Sequence, residues 1–300
     1  MTEKPAIGFV GVGNMGWPMA ACLMRAGFPV QVFDSRRATA ENFVQQVGGA
    51  APRSLAELAA GCEVVVTMLP TSAIVAEVLA DGADTLLAGL RPGSVVIDMT
   101  SGQPAVTQAL AGRVAEAGGV LVDAPVSGGV PRAVTGQLAI MAGGDAAAIE
   151  RVRPVLEAMG SSITHCGGVG AGQAMKALNN LVSAGGFLIG IEALLIGRRF
   201  GLDSGMMVDV LNASTGMTNS SQKKFRQFVL SRSFDSGFGL DLMVKDLTIA
   251  LGIGRDTATP APFAALCREM WASAAAMLGP GQDHTALAKL PERLAGTELK

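Results

Sequence analysis

The 300-residue sequence contains no tyrosine, two histidines and four cysteines, and its lysines number seven against sixteen arginines. Candidates for general acid–base catalysis are therefore few. No two cysteines form a CxxC pair, and two histidines offer too few ligands for a zinc site of the usual nitrogen and sulfur type. We expect no metal site, and we expect reduced, mostly buried cysteines, as in a cytoplasmic protein.

Charge is also scarce in this chain. Charged residues make up 16% of the sequence, where about 25% is ordinary, and the formal net charge is −2. Because no basic block is present, the sequence predicts no nucleic-acid partner. The hydrophobic share of 49% excludes intrinsic disorder. Such an excess indicates either a membrane span or a protein that buries apolar surface in an oligomer.

The apolar runs in this sequence are shorter than a membrane span requires. The first residues hold an apolar run of five, too short for the core of a signal peptide. The longest apolar stretch, Leu181 to Gly197, is just under the length of a span and contains Glu192. We expect a buried core helix there, no membrane partner and a cytoplasmic location.

Short β-branched runs alternate with helical runs from residue 6 to about residue 165. The candidate strands are Ala6 to Val10, Val30 to Phe33, Glu63 to Leu69, Ser94 to Asp98, Val120 to Asp123, Leu138 to Ala142 and, more weakly, Ser162 to His165. This repetition predicts parallel crossovers and a doubly wound α/β sheet. After Cys166 the pattern is helical throughout. We therefore predict an α/β domain over residues 1–165 and an all-α domain over residues 166–300, linked by a long helix.

A GxGxxG spacing follows the first predicted strand and opens a predicted helix. Its residues are Gly11, Val12, Gly13, Asn14, Met15 and Gly16. The glycines suit a tight turn, a close approach of the backbone to a pyrophosphate and close packing of helix on strand. Asp34, at the end of the second strand, can accept hydrogen bonds from both ribose hydroxyls of NAD. The motif predicts a Rossmann-type dinucleotide site that favours NAD, although Arg36 and Arg37 leave NADP open.

A lysine interrupts the apolar helix that begins the second half of the chain. Lys176, Asn179, Asn180 and Ser183 are spaced by three, four and seven residues, so they share one face. Burial disfavours the charged form of an amine, as a proton-transfer group working near neutral pH requires. Neither histidine has an attractive context, since His284 lies in a polar tail segment. By elimination, Lys176 is the best acid–base candidate.

Two further segments carry candidate groups. Lys245 also stands in an apolar helical segment, where Asp246 is placed to orient an amine. Ser127, Gly128 and Gly129 follow a predicted strand, and a hydroxyl with two glycine N–H groups forms a concavity suited to a carboxylate. The hydroxyl and amide groups of Asn212 to Ser221 fit a polyhydroxylated substrate, or equally helix caps and turns.

Four segments together resemble the signature blocks of the β-hydroxyacid dehydrogenases. They are GFVGVGNMGWPMA at 8–20, DAPVSGG at 123–129, GAGQAMKALNN at 170–180 and FGLDLMVKDL at 238–247. The family includes 3-hydroxyisobutyrate dehydrogenase and tartronate semialdehyde reductase and is related to 6-phosphogluconate dehydrogenase. The resemblance implies reversible hydride transfer between NAD(P) and a short 3-hydroxy acid or its semialdehyde. It also implies a homodimer or homotetramer held by the helical domain.

The resemblance also implies roles for individual residues. Lys176 would be the catalytic lysine and Asn180 its partner at the substrate hydroxyl. Ser127, Gly128 and Gly129 would hold the substrate carboxylate. The positions that would line the cofactor are Leu69, Pro70, Thr100, Ser101 and Lys245, and Ile74 departs from the asparagine that several members carry.

Two other functions fit this sequence less well. An imine reductase of similar fold usually carries a different proton donor where this chain has Lys176. A dinucleotide-binding module without turnover would have lost that lysine and would carry added basic segments.

Overall fold

A computed structural model describes residues 4–300, and its contacts divide the chain into one unit that ends at Lys176 and a second unit over Ala177–Lys300. The domain boundary between residues 165 and 166 stays a prediction. The long helix α8, Ala171–Phe200, begins in the first unit and continues through the boundary of 176 and 177.

The first unit is built on an eight-stranded sheet. Its strands are β1 (Ile7–Val10), β2 (Val30–Phe33), β3 (Val64–Thr67), β4 (Val95–Asp98), β5 (Val120–Asp123), β6 (Val126–Ser127), β7 (Leu138–Gly143) and β8 (Gly160–Gly167). They are ordered β2-β1-β3-β4-β5-β7-β6, with β8 paired to β7. Strands β1, β3 and β4 are completely buried, as expected for a sheet covered on both faces.

Helices connect these strands. They are α1 (Gly16–Arg25), α2 (Arg37–Gln46), α3 (Leu55–Gly61), α4 (Ser72–Ala76), which runs into a π-helical turn at Glu77–Asp81, α5 (Pro104–Glu116), α6 (Gly129–Val134) and α7 (Ala146–Glu157). The first crossover leads from β1 to β2 and the next returns to β3 on the other side of β1. This reversal of direction places a crevice at the carboxyl end of β1, where open α/β sheets bind ligands.

The doubly wound fold is confirmed, but the parallel arrangement does not extend to the whole sheet. Strands β1 to β5 run parallel, whereas β7 is antiparallel to both β5 and β6. The reason is the ten-residue segment 128–137 between β6 and β7, whose only element is the six-residue helix α6. A parallel connection needs a full crossover of a dozen residues or more, so the chain reverses instead.

The second unit is helical. After α8 come α9 (Ser204–Asn212), a π-helical segment (Ser221–Leu230), α10 (Leu240–Asp256), α11 (Pro262–Leu278), a short 3₁₀ helix (His284–Ala288) and α12 (Lys289–Ala295). By length and composition alone, α8 could cross a membrane. However, half of its most apolar 18-residue stretch is buried inside the protein, as in the core helix of a folded unit.

Each unit contains one tryptophan. Trp17, in the first turn of α1, packs edge-on against Phe43 at 5.0 Å between ring centroids. Trp271 is fully buried in the helical core and stacks on His284 at 6.3 Å.

The placement of His284 in a polar tail segment was wrong. The side chain is buried beside Phe187 and Phe238, because Asp283 caps the 3₁₀ helix and turns the histidine inward.

Candidate functional site

The glycine loop after β1 has the local geometry that a dinucleotide requires. Gly11 has a φ of +93°, and a methyl group there would overlap the Met68 carbonyl oxygen. Gly16 lies so close to the Gly11 carbonyl that no side chain fits. Gly13, in contrast, has no atom within 4 Å of the position that a Cβ would take. Two glycines are therefore needed for the fold, while Gly13 leaves open space in front of the helix N-terminus for a pyrophosphate.

Asp34 is tied to this loop. Its Oδ2 accepts a hydrogen bond from the Val12 N–H at 3.1 Å, and its Oδ1 accepts one from the Arg36 N–H at 3.0 Å. The carboxylate is thus fixed at the carboxyl end of β2. The Arg36 guanidinium is exposed and lies 3.7 Å from Asp34, whereas Arg37 is held by Glu41 and the Pro52 carbonyl. Asn14 and Met15 belong to the same turn, so all seven residues predicted for this part of the site lie together.

The ends of β3 and β4 adjoin the glycine loop. The Met68 N–H donates to the Val10 carbonyl at 2.9 Å, and the Leu69 N–H donates to Thr100 Oγ1 at 3.0 Å. Pro70 and Ser101 follow these two residues in the chain. The predicted cofactor positions 69–70 and 100–101 are therefore joined to each other and to the end of β1. Ile74 lies in the short helix α4, whose cap is the Thr71 hydroxyl.

The predicted carboxylate loop lies between β6 and α6. Gly128 and Gly129 have φ values of +132° and +65°, a conformation that favours glycine. The Arg132 side chain packs against Gly128, so a Cβ there would meet its aliphatic stem. Ser127 ends β6 and is half-buried. The three residues form the expected turn, and Arg132 adds a positive charge that the sequence reasoning did not include.

A buried polar network fixes the start of α8, and the sequence reasoning missed it. Asp123, at the end of β5, accepts hydrogen bonds from the Gly170 N–H at 2.7 Å and from the Gln173 N–H at 2.9 Å. A carboxylate at this position satisfies N–H groups that a helix N-terminus leaves without partners and interacts favourably with the helix dipole. Burial nevertheless raises the pKa of Asp123, and its backbone donors oppose that shift.

Gln173 connects this network to the end of β4. Its Oε1 accepts from the Gly102 N–H at 2.7 Å, and its Nε2 donates to the Thr100 carbonyl at 2.7 Å. Nε2 also lies 3.4 Å from Asp98, whose pKa burial raises to about 6. Since Gln173 stands one turn before Lys176, the network sets where the lysine-bearing helix leaves the strand ends. The sequence signal was a glutamine in an apolar helical segment just after a glycine-rich turn, although its partners could not be read from the sequence.

Lys176 and Asn180 are buried on α8, one helical turn apart, with 8% and 6% of their surface exposed. Asn179 and Ser183 complete the predicted polar face and are half-buried. A buried amine beside a buried amide can exchange a proton with a hydroxyl group while the amide holds the same oxygen.

Asp246 organises the polar groups of the second unit. Its Oδ2 accepts a hydrogen bond from Asn180 Nδ2 at 2.6 Å, and its Oδ1 lies 3.4 Å from the Lys245 ammonium. Asn179 Nδ2 donates to Asn180 Oδ1 at 3.2 Å. Asp246 is 1% exposed, and these partners satisfy its buried oxygen atoms. The sequence reasoning named Asp246 as an orienting group but not as a site residue.

Metal-binding and thiol chemistry receive no support in residues 4–300. No group of three His, Cys, Asp or Glu side chains there is placed to hold a metal ion. The four cysteines are free thiols, and three of them are buried. Burial raises the pKa of the Cys62 thiol to about 11.

Two family profiles together match nearly the whole chain. The profile of the NAD binding domain of 6-phosphogluconate dehydrogenase matches residues 6–168. The profile described as NAD-binding of NADP-dependent 3-hydroxyisobutyrate dehydrogenase matches residues 170–291.

Individual relatives agree over the same length. The chain is 36% identical to 2-(hydroxymethyl)glutarate dehydrogenase of Eubacterium barkeri, covering 100% of this chain and 99% of the relative. It is 36% identical to the mitochondrial 3-hydroxyisobutyrate dehydrogenase of Mus musculus, covering 90% and 82%. A structure of 3-hydroxyisobutyrate dehydrogenase of Mycobacterium tuberculosis with L-serine has a TM-score of 0.87 at 34% identity, covering 97% and 99%.

Proposed function

The chain belongs to the β-hydroxyacid dehydrogenase family that includes 3-hydroxyisobutyrate dehydrogenase, and on that premise we propose that its substrate is a short 3-hydroxy acid such as 3-hydroxyisobutyrate. The protein is a dinucleotide-dependent oxidoreductase acting on CH–OH groups. The observation that carries the proposal is the buried Lys176, one turn before the buried Asn180 on α8.

The residues that would hold the cofactor fit a nicotinamide dinucleotide. The glycine loop leaves room at Gly13, the N-terminus of α1 provides N–H groups, and Asp34 presents a fixed carboxylate. When bound, the dinucleotide accepts or supplies the hydride.

The side chains that transfer and orient the proton lie on the long helix α8. In the direction of oxidation, neutral Lys176 accepts the proton of the substrate hydroxyl, and in reduction its ammonium form returns it. Asn180 orients the same oxygen, and Asp246 holds the Asn180 amide at 2.6 Å so that it does not rotate. Ser127, Gly128 and Gly129 bind the substrate carboxylate through a hydroxyl and backbone N–H groups.

The test is a panel of 3-hydroxy acids with NAD and NADP, followed by the absorbance of the reduced nicotinamide. Lys176→Ala is expected to lower the rate about 10² to 10⁴-fold while dinucleotide affinity changes little, because the lysine acts in proton transfer. Lys223→Ala, at an exposed lysine elsewhere in the chain, is the matched control. Near-normal turnover by Lys176→Ala would contradict the assignment, and turnover of cyclic imines without any hydroxy acid would support an imine reductase instead.

Preference for NAD over NADP is the second part of the proposal. Asp34 would repel a 2′-phosphate, and Arg37 is held by Glu41. Asp34→Ala is expected to lower the ratio of kcat/KM for NAD to that for NADP by tenfold or more, about 1.4 kcal/mol. An unchanged ratio would contradict this role.

Tartronate semialdehyde and 2-(hydroxymethyl)glutarate are the alternative substrates. The second is the compound named in the full-length Eubacterium barkeri relative. 2-(Hydroxymethyl)glutarate is tested with NAD or NADP, because its hydroxymethyl group can be oxidised. Tartronate semialdehyde is tested with NADH or NADPH, because its aldehyde can only accept the hydride, and the consumption of the reduced nicotinamide is followed.

We also propose a cytoplasmic homodimer or homotetramer. Exposed apolar side chains recur along α8 at spacings of three, four and seven residues, which is the pattern of a helix packed on another helix. They are Met175, Leu178, Val182, Ile189, Ile196 and Phe200. Ile196→Glu is expected to reduce the molar mass measured by light scattering, whereas Val134→Glu, at an exposed valine of the first unit, is expected to leave it unchanged.

A further inference from the structure

The chain around the loop between β6 and α6 carries a single charged side chain. Arg132 is the only charged residue between Asp123 and Asp145 in the sequence. Helix α6 packs against α1 and β7, and the one charged residue in these two elements is Arg25, whose guanidinium donates to the Val134 carbonyl at 2.8 Å. These neighbouring elements therefore offer no carboxylate that would compete for the Arg132 guanidinium.

The fold itself does not use the charged end of Arg132. The Arg132 carbonyl accepts a hydrogen bond from the Gln137 N–H at 2.9 Å, but within residues 4–300 the guanidinium makes no hydrogen bond or ion pair. Several other arginines of the first unit are held by carboxylates, as Arg37 is by Glu41 and Arg153 by Glu150. Because Arg132 is exposed, its donors are accessible to a ligand.

The aliphatic stem of Arg132 lies along the loop. A Cβ built on Gly128 would lie 2.6 Å from Arg132 Cδ, 2.8 Å from its Cβ and 3.2 Å from its Cγ. The guanidinium carbon is two C–N bonds beyond Cδ, which is about 2.5 Å, so it lies within about 5 Å of the same point. The stem thus keeps the positive charge beside the main chain of the turn.

The same turn presents two main-chain donors. The N–H groups of Gly128 and Gly129 donate to no acceptor in the described part of the chain, and both residues are exposed. Successive N–H groups in a turn bind an anionic oxygen, and the planar guanidinium pairs with both oxygens of a carboxylate. Rotation about the last side-chain bonds of Arg132 can bring its N–H groups to a carboxylate held on this loop.

We propose that Arg132 is a specificity-determining residue, which pairs with the carboxylate of the 3-hydroxy acid and disfavours its uncharged analogues. The inference rests on the proposed function, because it concerns the carboxylate that Ser127, Gly128 and Gly129 would bind. A carboxamide in place of the carboxylate would leave the guanidinium without a counter-charge and would direct amide N–H groups toward other donors.

Matched substrates test this role. The probes are 3-hydroxyisobutyrate and 3-hydroxyisobutyramide, which have nearly the same shape, and the measured quantity is the ratio of kcat/KM for the acid to that for the amide. Arg132→Gln keeps Cβ, Cγ and Cδ, which pack on Gly128, and removes the guanidinium. It is expected to lower the ratio about threefold to tenfold, as for a charged pair that solvent partly screens. Arg132→Lys keeps the charge without the planar fork, so its ratio should fall between those of Arg132→Gln and the wild type.

The matched control is Arg53→Gln, because Arg53 is an exposed arginine of the same unit that precedes α3. Its ratio is expected to equal that of the wild type. An unchanged ratio in Arg132→Gln would overturn the proposal, and so would a fall in kcat/KM by the same factor for acid and amide, which indicates a structural role alone. An equal fall of the ratio in Arg53→Gln would show a general charge effect and would also overturn it.

Binding of an unreactive pair separates this proposal from the proposed function. Isobutyrate and isobutyramide lack the reacting hydroxyl, and saturation-transfer NMR titrations in the presence of NAD measure their affinities. The wild type is expected to bind isobutyrate more tightly than isobutyramide, with a smaller difference in Arg132→Gln.

The two proposals can then fail separately. If no 3-hydroxy acid is oxidised but this binding pattern is present, the proposed function fails and Arg132 stands as a carboxylate-binding residue. If 3-hydroxy acids are oxidised but Arg132→Gln keeps the wild-type ratio, the role of Arg132 fails and the proposed function stands. If neither oxidation nor the binding pattern is seen, both proposals fail.

Discussion

At the strand ends of the first unit, the polar groups are held by main-chain atoms, whereas on the helices of the second unit they are held by side chains. Asp34 is fixed by the N–H groups of Val12 and Arg36, and Asp123 by those of Gly170 and Gln173. Asp246, in contrast, is held by the Asn180 amide and the Lys245 ammonium. A substitution in the first region therefore acts mainly through the backbone and stability. A substitution in the second acts mainly through the position of one functional group.

The largest expected effect is at Gly16. Gly16→Ala would push a methyl group into the Gly11 carbonyl and is expected to lower the free energy of unfolding by about 3 kcal/mol or more, as severe overpacking does. Gly13→Ala faces open space, so we expect near-normal stability but weaker dinucleotide binding. Urea unfolding and a dinucleotide titration check both. An equal loss of stability in the two variants would contradict the assignment of Gly16 to the packing of the fold and of Gly13 to ligand binding.

The next effect concerns Gln173. Gln173→Met leaves the Gly102 N–H and the Thr100 carbonyl without this partner and is expected to cost about 2 to 3 kcal/mol in unfolding free energy. It is also expected to lower kcat, because Lys176 lies one turn further along α8. Gln108→Met, at an exposed side chain that donates to the Val169 carbonyl, is the matched control. If Gln173→Met lowers the free energy of unfolding but keeps a normal kcat, Gln173 contributes to stability and does not position Lys176.

The two regions also contain buried groups whose contributions to the free energy of unfolding respond oppositely to pH. Burial lowers the pKa of His284 to about 4 from the ordinary 6.5, so its contribution to stability is present above pH 6.5 and is lost as the pH falls toward 4. Burial raises the pKa of Asp98 to about 6 from 3.8, so its contribution is greatest below pH 3.8 and is lost as the pH rises through 6.

Between pH 7 and pH 5 each group is expected to change the unfolding free energy by about 1 to 2 kcal/mol, in opposite directions. His284→Gln should remove the loss of unfolding free energy on acidification, and Asp98→Asn should remove the corresponding gain. His165→Gln is the control for the histidine. Urea unfolding at both pH values measures the differences, and parallel pH profiles in His284→Gln and the wild type would contradict the assignment.

The smallest effect is at Asp246. Asp246→Asn keeps an oxygen that can accept from Asn180 but removes the charge beside Lys245, which stays partly exposed to solvent, so we expect a smaller loss of stability than in Gln173→Met and less than a tenfold fall in kcat. Asp246→Leu removes the acceptor and should lower kcat further. Asp256→Asn, at an exposed aspartate of α10 beside Arg255, should change neither. A loss of stability in Asp246→Asn as large as in Gln173→Met would erase the contrast between the two regions.

The sequence was most informative where local patterns decide the structure. The strands Val30–Phe33 and Val120–Asp123 lie where the β-branched runs predicted them, and α8 follows the long apolar run. Its weakly predicted strand, β8, is mostly exposed and therefore has no apolar pattern to recognise. The glycine loop could be assigned because its three glycines have separate steric tasks within six residues.

Features that depend on distant contacts were not predictable. The reversal at β7 follows from the short connection after β6, and the burial of His284 follows from aromatic neighbours as far away as Phe187. The contact of Gln173 with Gly102 joins residues 71 positions apart. Neither periodicity nor spacing carries such information, so the role of Gln173 emerged only from the structure, whereas Asp246 was already indicated by the sequence as an orienting group.

The distribution of aromatic residues gives each unit its own intrinsic fluorescence signal. Because tyrosine is absent, ultraviolet emission comes from Trp17 in the first unit and Trp271 in the second. A Trp271→Phe variant would report the environment next to the glycine loop, and a Trp17→Phe variant would report the helical core. The two units could then be followed separately during unfolding or ligand binding without any attached label.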